Sequence, residues 1–184
     1  KLIHDKRFDA LKDEFGDEYI KIGIGLNSGF AVVGEMGSET RSDYTALGDS
    51  VNLGSRIESL CKKYGAKCMI SNFMKAELKE EYIFRLLDVV RVKGKEEPVE
   101  LWVVVGFKEH ITEEIENEIE LHNKAFKHYQ NEEFFEAEKI FSRLFEQRSS
   151  LSKNVYEIFV NRTLEYIRRK PTDFDGVFRL DSKS

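Results

Sequence analysis

The stretch DYTALGDSVNLGSRIES, residues 43–59, combines a turn, the start of a helix and a pair of polar side chains. Gly48 lets the chain turn sharply, and Asp49 or Ser50 can accept hydrogen bonds from the free N–H groups of the first helical turn. The apolar spacing that follows predicts a helix over residues 50–64, closed by a glycine.

Five side chains of this helix have predicted orientations. Val51, Ile57 and Leu60 are spaced to face the core. Asn52 and Arg56 stand four residues apart, so a helix projects both from one face, as a neutral amide and a permanent cation. Such a pair alone is typical of a solvated helix face, but next to a glycine turn it also suits an anion.

The segments around this helix alternate irregularly between strands and helices. Two apolar runs, at 19–26 and 30–35, flank Asn27-Ser28-Gly29 and predict a β-hairpin, while the polar residues 36–48 predict a loop. Further elements are predicted as a strand at 67–70, a short helix capped by Ser71 through residue 78, and a second hairpin of strands 84–92 and 99–107. This order indicates an α+β fold with a mixed or antiparallel sheet.

After residue 107 the pattern becomes helical. It predicts helices at 112–130, 133–147 and 153–168, then Pro171 and an extended tail at 173–184. The side chains predicted to face inward are Ile115, Ile119, His122, Phe126 and Tyr129, then Phe134, Ala137, Ile140, Phe141, Leu144 and Phe145, then Val155, Phe159 and Ile167. The first two helices resemble a tetratricopeptide pair, and because fewer than three such repeats rarely stand alone, we expect them to pack on the preceding domain or on a partner.

Composition argues against several classes of protein. The 184 residues carry 29 basic and 34 acidic side chains, a formal charge of −5, and no long basic run, so nucleic acid is not an expected partner. The two cysteines, Cys61 and Cys68, form no disulfide framework, as in a reducing compartment. The four histidines lack the spacing of metal ligands, and no apolar run is long enough to span a membrane.

The polar helix and its flanks resemble the class III nucleotide cyclases, which make cyclic AMP or cyclic GMP from nucleoside triphosphates. Four stretches carry the resemblance: Ile22–Gly29, Val32–Ser38, Asp43–Ser59 and Val92–Lys95. It implies that residues 1–107 are the C-terminal part of a ferredoxin-like cyclase catalytic domain, of the bacterial adenylate cyclase type. Residues 108–184 then form a small all-α appendage and tail.

The resemblance also implies roles for four residues. Asn52 matches the residue that orients the ribose, and Arg56 matches the one that stabilises the phosphate in the transition state. Thr45 occupies the position that reads the purine edge, where a hydroxyl can accept a hydrogen bond from the adenine amino group. Lys93 matches the lysine that binds the terminal phosphates. The expected reaction is therefore conversion of ATP to cyclic AMP and pyrophosphate.

Other features of the family are expected outside this sequence. The resemblance implies Mg²⁺ or Mn²⁺ held by aspartates upstream of Lys1, so no metal ligand is assigned within the chain. It implies a homodimer through the cyclase domain, with one protomer supplying the metal carboxylates and the other the four residues above. We expect this chain alone to be inactive, and its parent to be an inner-membrane protein with an upstream sensor and a cytoplasmic cyclase domain.

Two other functions remain open from the sequence. One is a catalytically silent, cyclase-like domain that binds nucleotide to regulate a partner. The other is a protein-interaction module in which the helical tail is the working part. The residues that precede Lys1 would separate the first from the enzyme, because metal-binding aspartates there favour catalysis.

Overall fold

A computed structural model describes residues 22–38, 41–92, 97–147 and 153–180 of the chain. The fold is α+β. The strands are β1 (Ile24–Leu26), β2 (Val32–Ser38), β3 (Arg41–Leu47), β4 (Cys68–Ser71), β5 (Tyr82–Arg91), β6 (Val99–Phe107) and β7 (Phe178–Arg179). The helices are α1 (Asp49–Tyr64), α2 (Asn72–Ala76), α3 (Glu113–Gln130), α4 (Phe134–Glu146) and α5 (Lys153–Arg168), with a 3₁₀ turn at Lys108–His110.

The main sheet is mixed, as the sequence predicts. Its strand order is β1-β4-β6-β5-β7, with parallel pairs at β1–β4 and β5–β7 and antiparallel pairs at β4–β6 and β5–β6. Strands β2 and β3 form a separate two-stranded antiparallel sheet. The predicted hairpin of β5 with β6 is confirmed, and the tail predicted as extended adds β7 to the sheet beside β5.

The first predicted hairpin is wrong. The run at 19–26 does not pair with the run at 30–35: β1 pairs in parallel with β4, while β2 pairs with β3, which lies in the predicted loop 36–48. Residues 19–21 of that prediction lie outside the described residues. The error has a physical cause, because β3 is exposed from Ser42 to Thr45 and carries polar residues that are equally common in loops.

Helix α1 lies directly against the backbone of β1. A Cβ built on Gly25 would come within 2.2 Å of the Glu58 nitrogen and 2.4 Å of the Gly54 carbonyl oxygen. The thiol of Cys61, on the same side of α1, lies 3.4 Å from the Ile24 carbonyl oxygen and donates to it. Strand and helix can approach this closely only because Gly25 has no side chain.

The buried stripe of α1 consists of Leu53, Ile57, Cys61 and Tyr64. Ile57 and the half-buried Leu60 therefore face the core as predicted. Val51 does not: its side chain is 38% exposed, because two residues before Leu53 the helix turns it away from this stripe.

Helices α3, α4 and α5, which we call the helical unit (residues 113–168), pack on one another and on the sheet. Their bounds confirm the three predicted helices to within a residue. The core cluster runs without a break from Leu53 and Ile57 of α1, through Val90 of β5, to Phe126 and Phe159 of the helical unit. The expected packing on the preceding domain is therefore present. The resemblance to tetratricopeptide repeats stays a prediction.

Most inward positions of the helical unit are as predicted. The exception is Phe145, which is exposed because the buried stripe of α4 follows Phe134, Ala137, Phe141 and Leu144 and ends one residue earlier. Among the described residues, none of the helices combines the length and the apolar character that crossing a membrane requires.

A histidine is buried where the helical unit meets β5. The Nε2 atom of His122 lies 2.7 Å from the Leu86 carbonyl oxygen, and its Nδ1 atom lies 3.4 Å from a terminal nitrogen of Arg85. The first contact requires a proton on Nε2, so Nδ1 is the acceptor for the guanidinium and the ring is neutral. Burial, and then the charge of Arg85, hold the pKa of His122 well below its usual range.

We expect replacement of Gly25 by alanine to destabilise the fold by about 3 kcal/mol or more, since the new methyl group meets backbone on both sides. The measurement is the free energy of unfolding in urea. Gly34→Ala is the matched control, because a Cβ at Gly34 meets nothing within 4 Å and should change stability by less than about 0.5 kcal/mol. Equal stabilities of the two variants would contradict the close contact of β1 with α1.

The buried His122 predicts loss of stability in mild acid. Its pKa is lowered in the folded chain, so below about pH 6.5 the unfolded chain binds a proton that the folded chain does not, and stability falls as the pH falls. Between about pH 7.5 and about pH 5.5 this single group should remove about 1.4 kcal/mol from the free energy of unfolding.

His122→Gln is the control for this pH effect, because glutamine can still donate to the Leu86 carbonyl but does not titrate. The difference between wild type and variant isolates the contribution of His122 from that of every other group. If both proteins lose the same free energy between the two pH values, His122 does not carry the effect.

Candidate active site at the start of helix α1

The structure places three of the four predicted site residues around the start of α1. Asn52 and Arg56 are exposed and lie one helical turn apart, about 6 Å along the axis, on a face beside the buried stripe. Thr45 is exposed on β3, the strand that leads through Gly48 directly into α1. Lys93, the fourth predicted residue, lies outside the described residues.

The turn into α1 depends on a glycine. Gly48 has φ 154° and ψ 162°, a conformation almost restricted to glycine, and it occupies the N-cap position of the helix. The predicted capping by Asp49 or Ser50 is therefore wrong: the helix begins one residue earlier than expected, and both residues lie inside its first turn. Asp49 there is favourable to the helix dipole, and the Ser50 hydroxyl instead donates to the Phe30 carbonyl oxygen at 2.5 Å.

Asn27 holds the start of α1 to the main sheet, a role that the sequence does not reveal. Its Nδ2 atom donates to the Ser50 carbonyl oxygen at 2.9 Å, and its Oδ1 atom accepts from the Ser71 hydroxyl at 2.6 Å. Ser71 is fully buried, and its oxygen also accepts from the Met74 N–H at the start of α2, as predicted for a cap. One amide thus connects the first turns of two helices.

The surroundings of this site are unusually apolar for an exposed surface. Large apolar side chains are exposed on β1, on the β2–β3 hairpin and on the turns that join them to α1: Ile22, Ile24, Leu26, Phe30, Val32, Val33, Tyr44, Leu47 and Val51. We call this set the apolar face. A surface with this many exposed apolar side chains is typical of a site of protein association.

The described residues contain no cluster of side chains that could bind a metal ion. Across residues 22–38, 41–92, 97–147 and 153–180, three or more His, Cys, Asp or Glu side chains nowhere come together in a way that could hold an ion. The free thiols of Cys61 and Cys68 are partly or fully buried, and burial raises the pKa of both, which disfavours the thiolate form needed for ligation.

Comparison with known proteins identifies the family. The family model described as "Adenylate and Guanylate cyclase catalytic domain" matches residues 4–106, which is more than half of the chain. The chain belongs to this cyclase family. The match ends close to residue 107, where the sequence predicts the end of the cyclase part, and the helical unit lies beyond it.

Three relatives illustrate the similarity of this cyclase domain to known proteins. It is 42% identical over 89 residues to "Adenylate cyclase, terminal-differentiation specific" of Dictyostelium discoideum, which covers 47% of this chain and 4% of that protein. It is 34% identical over 99 residues to "Adenylate cyclase 1" of Rhizobium meliloti (strain 1021), covering 54% of this chain and 15% of that protein. Against the solved structure of the adenylyl cyclase CyaB from P. aeruginosa the identity is 30% and the TM-score 0.44, covering 58% and 56% of the two chains. The chain thus spans less than a fifth of the length of these two curated relatives.

The contacts of Asn27 in the cyclase domain generate a prediction. We expect Asn27→Ala to lower the free energy of unfolding by about 1–3 kcal/mol, because it leaves the buried Ser71 hydroxyl and the Ser50 carbonyl without this partner. It should also increase amide hydrogen exchange in the first turn of α1, measured by mass spectrometry of peptides that cover residues 49–56. Asn123→Ala, on the exposed surface of α3, is the control and should change neither quantity appreciably. The role of Asn27 is disproved if the two variants behave alike.

Proposed function

We propose that the parent protein of this chain is an adenylate cyclase, which converts ATP to cyclic AMP and pyrophosphate. One observation carries the proposal: in a chain of the cyclase family, α1 presents Asn52 and Arg56 together from one exposed face, directly after the strand that bears Thr45. Curated relatives named as adenylate cyclases favour ATP as the substrate.

In the proposed reaction the ribose 3′-hydroxyl oxygen attacks the α-phosphorus and displaces pyrophosphate. Negative charge increases on the oxygens around the phosphorus, so a fixed cation placed there lowers the barrier. Arg56 suits this role because its guanidinium keeps its charge and donates several hydrogen bonds to phosphate oxygens. Asn52, one turn earlier on the same face, is neutral and can hold the ribose hydroxyl by its amide without adding charge.

The remaining groups of the proposed site bind the two ends of the nucleotide. The Thr45 hydroxyl can accept a hydrogen bond from the adenine amino group, and Lys93 can pair with the terminal phosphates. Neither role alters the reacting bond. Both should therefore act mainly on substrate affinity and on the choice of base.

Divalent metal ions are the usual cofactors of phosphoryl chemistry, but the described residues offer no ligand set for them. We therefore assign no metal ligand to this chain and propose that Mg²⁺ or Mn²⁺ is held by carboxylates outside it. The chain's own contribution is the nucleotide-binding half of the site.

The other half of the site is proposed to come from a second copy of the protein. The apolar face, formed by β1 and the β2–β3 hairpin, lies next to Thr45 and the start of α1, so a partner that covers it also encloses the nucleotide. Enclosure strengthens every electrostatic contact with the phosphates, because it removes competing water.

The test is the formation of cyclic AMP by the purified parent protein from ATP with Mg²⁺ or Mn²⁺, with GTP assayed in parallel. A protein-dependent rate with a higher kcat/KM for ATP than for GTP supports the proposal. A preference for GTP would overturn the assignment of adenine. Binding of ATP without turnover would favour the silent, regulatory alternative.

We expect Arg56→Ala in the parent protein to lower kcat about 10²- to 10³-fold while changing KM little, since the charge it stabilises develops only in the transition state. Steady-state kinetics of cyclic AMP formation provide the measurement. Arg143→Ala, which removes an exposed arginine from α4, is the matched control and should leave kcat unchanged. A kcat for Arg56→Ala within error of wild type would exclude Arg56 from this role.

A further inference from the structure

A buried carboxylate joins α1 to the helical unit. Asp88 of β5 is fully buried, and the Tyr64 hydroxyl, at the last residue of α1, donates to its Oδ2 atom at 2.6 Å. Arg162 of α5 donates from both terminal nitrogens, to Oδ2 at 2.9 Å and to Oδ1 at 3.2 Å. The Val89 N–H also donates to Oδ1, at 2.9 Å. We call Tyr64, Asp88 and Arg162 the Asp88 cluster.

An irregularity in β5 makes this cluster possible. The register with β6 shifts between Leu86 and Asp88, which pair with Trp102 and Leu101 respectively. In a regular strand, residues 85 and 88 would point to opposite faces, but the extra residue in the bulge changes the alternation. Arg85 and Asp88 can therefore both contact the helical unit, Arg85 through His122 and Asp88 through Arg162.

Aromatic rings enclose the cation of the cluster. The centre of the Arg162 guanidinium lies 3.7 Å from the centroid of the Phe178 ring and 4.8 Å from that of Phe159. Phe178 belongs to β7, so the C-terminal strand closes over the ion pair and shields it from solvent. A buried, two-point contact of this kind is nearly insensitive to salt and has one favoured geometry.

The protonation states fit the observed contacts. Burial, and then the Asp88 charge, raise the pKa of Tyr64 well above its usual range, so its hydroxyl keeps the proton that it donates. Burial lowers the pKa of Arg162, but Asp88 together with Tyr129 and Tyr64 raises it, so the net pKa lies above its usual value and the guanidinium stays charged. The cluster is thus a carboxylate with a donor from α1 on one side and a donor pair from α5 on the other.

We propose that Tyr64 and Arg162 are positioning residues for catalysis: through Asp88, the helical unit fixes the far end of α1 and thereby the placement of Arg56. Tyr64 follows Arg56 by eight residues, about 12 Å along a continuous helix, so a shift at this end moves the guanidinium. The other end of α1 is held by Asn27. The catalytic part of this inference, the placement of Arg56, rests on the proposed function. Its structural part, that the helical unit holds the end of α1, rests on the Asp88 cluster alone.

A purely structural role for the cluster would give a different result. In that case, weakening it would lower the stability of the whole chain but would leave α1 and the turnover of the folded protein unchanged. If the cluster has a positioning role, weakening it must increase local opening of α1, and it must lower kcat by a larger factor than it changes KM. The experiment has to separate these outcomes.

The test uses Tyr64→Phe, which removes one hydroxyl and keeps both the ring and the Asp88–Arg162 pair. Tyr156→Phe is the matched control, because Tyr156 is equally buried and its hydroxyl also donates to a carboxylate, Glu118, whereas its contacts with Glu118 and with Arg85 of β5 do not involve α1. Amide hydrogen exchange is measured for peptides of α1 and α4, and kcat and KM for ATP are measured with the full parent protein at a temperature where each variant is folded.

We expect Tyr64→Phe to speed exchange in α1 about tenfold or more, as for loss of one hydrogen bond to a charged group, with α4 unchanged. We expect kcat to fall about tenfold with little change in KM, the pattern of lost transition-state contact. Arg162→Lys, which keeps the charge but loses the two-point contact, should change both quantities in the same direction.

The proposal is overturned if Tyr64→Phe and Tyr156→Phe give the same exchange in α1 and the same kcat. Should the wild-type parent form no cyclic nucleotide, the proposed function fails, and the exchange measurement alone decides whether the helical unit holds α1. Faster exchange in α1 with unchanged kcat would overturn the catalytic part of the inference, because Arg56 would then tolerate the movement.

Discussion

The contact between the backbone of β1 and the backbone of α1 is the constraint on which this arrangement depends. Gly25 packs against the Gly54 carbonyl and the Glu58 N–H with no side chain between them. The distance between strand and helix is therefore set by backbone atoms, which cannot adjust as a side chain can. The buried stripe of α1 must then face β1. Asn52 and Arg56 lie beside this stripe on the same helix and are exposed. Packing of the stripe on β1 therefore fixes the direction in which the polar pair projects.

The two ends of α1 are held by different kinds of contact. At its start, Asn27 connects neutral groups, with a carbonyl and a hydroxyl as partners. At its end, Tyr64 reaches a buried ion pair between Asp88 and Arg162. Neutral contacts next to the proposed phosphate site do not compete with its cation. The charged contact lies at the distant end, where burial keeps it insensitive to salt.

Local patterns in the sequence predicted much of this fold, and the errors come from polar, exposed strand sequence and from contacts between distant residues. Apolar periodicity gave α1, the helical unit and the β5–β6 hairpin, since each is defined by near neighbours. The pairing of β2 with β3 was missed because β3 is polar and exposed. The placement of Asn52 and Arg56 on one exposed helix face was predicted, because both lie on the same helix, while their roles stay a prediction. Asn27 was missed because its partners, Ser50 and Ser71, are 23 and 44 residues away in sequence.

Contacts between residues far apart in sequence also cross the boundary at residue 107. The sequence pattern changes and the family match ends close to this residue, yet Arg85 and Asp88 of β5 have charged or polar partners in the helical unit, His122 and Arg162. A buried ion pair that loses one partner costs about 3–5 kcal/mol, a large part of the stability of an ordinary domain. We infer that the two sides of this boundary are not independent folding units, because β5 contains charges whose partners lie in the helical unit.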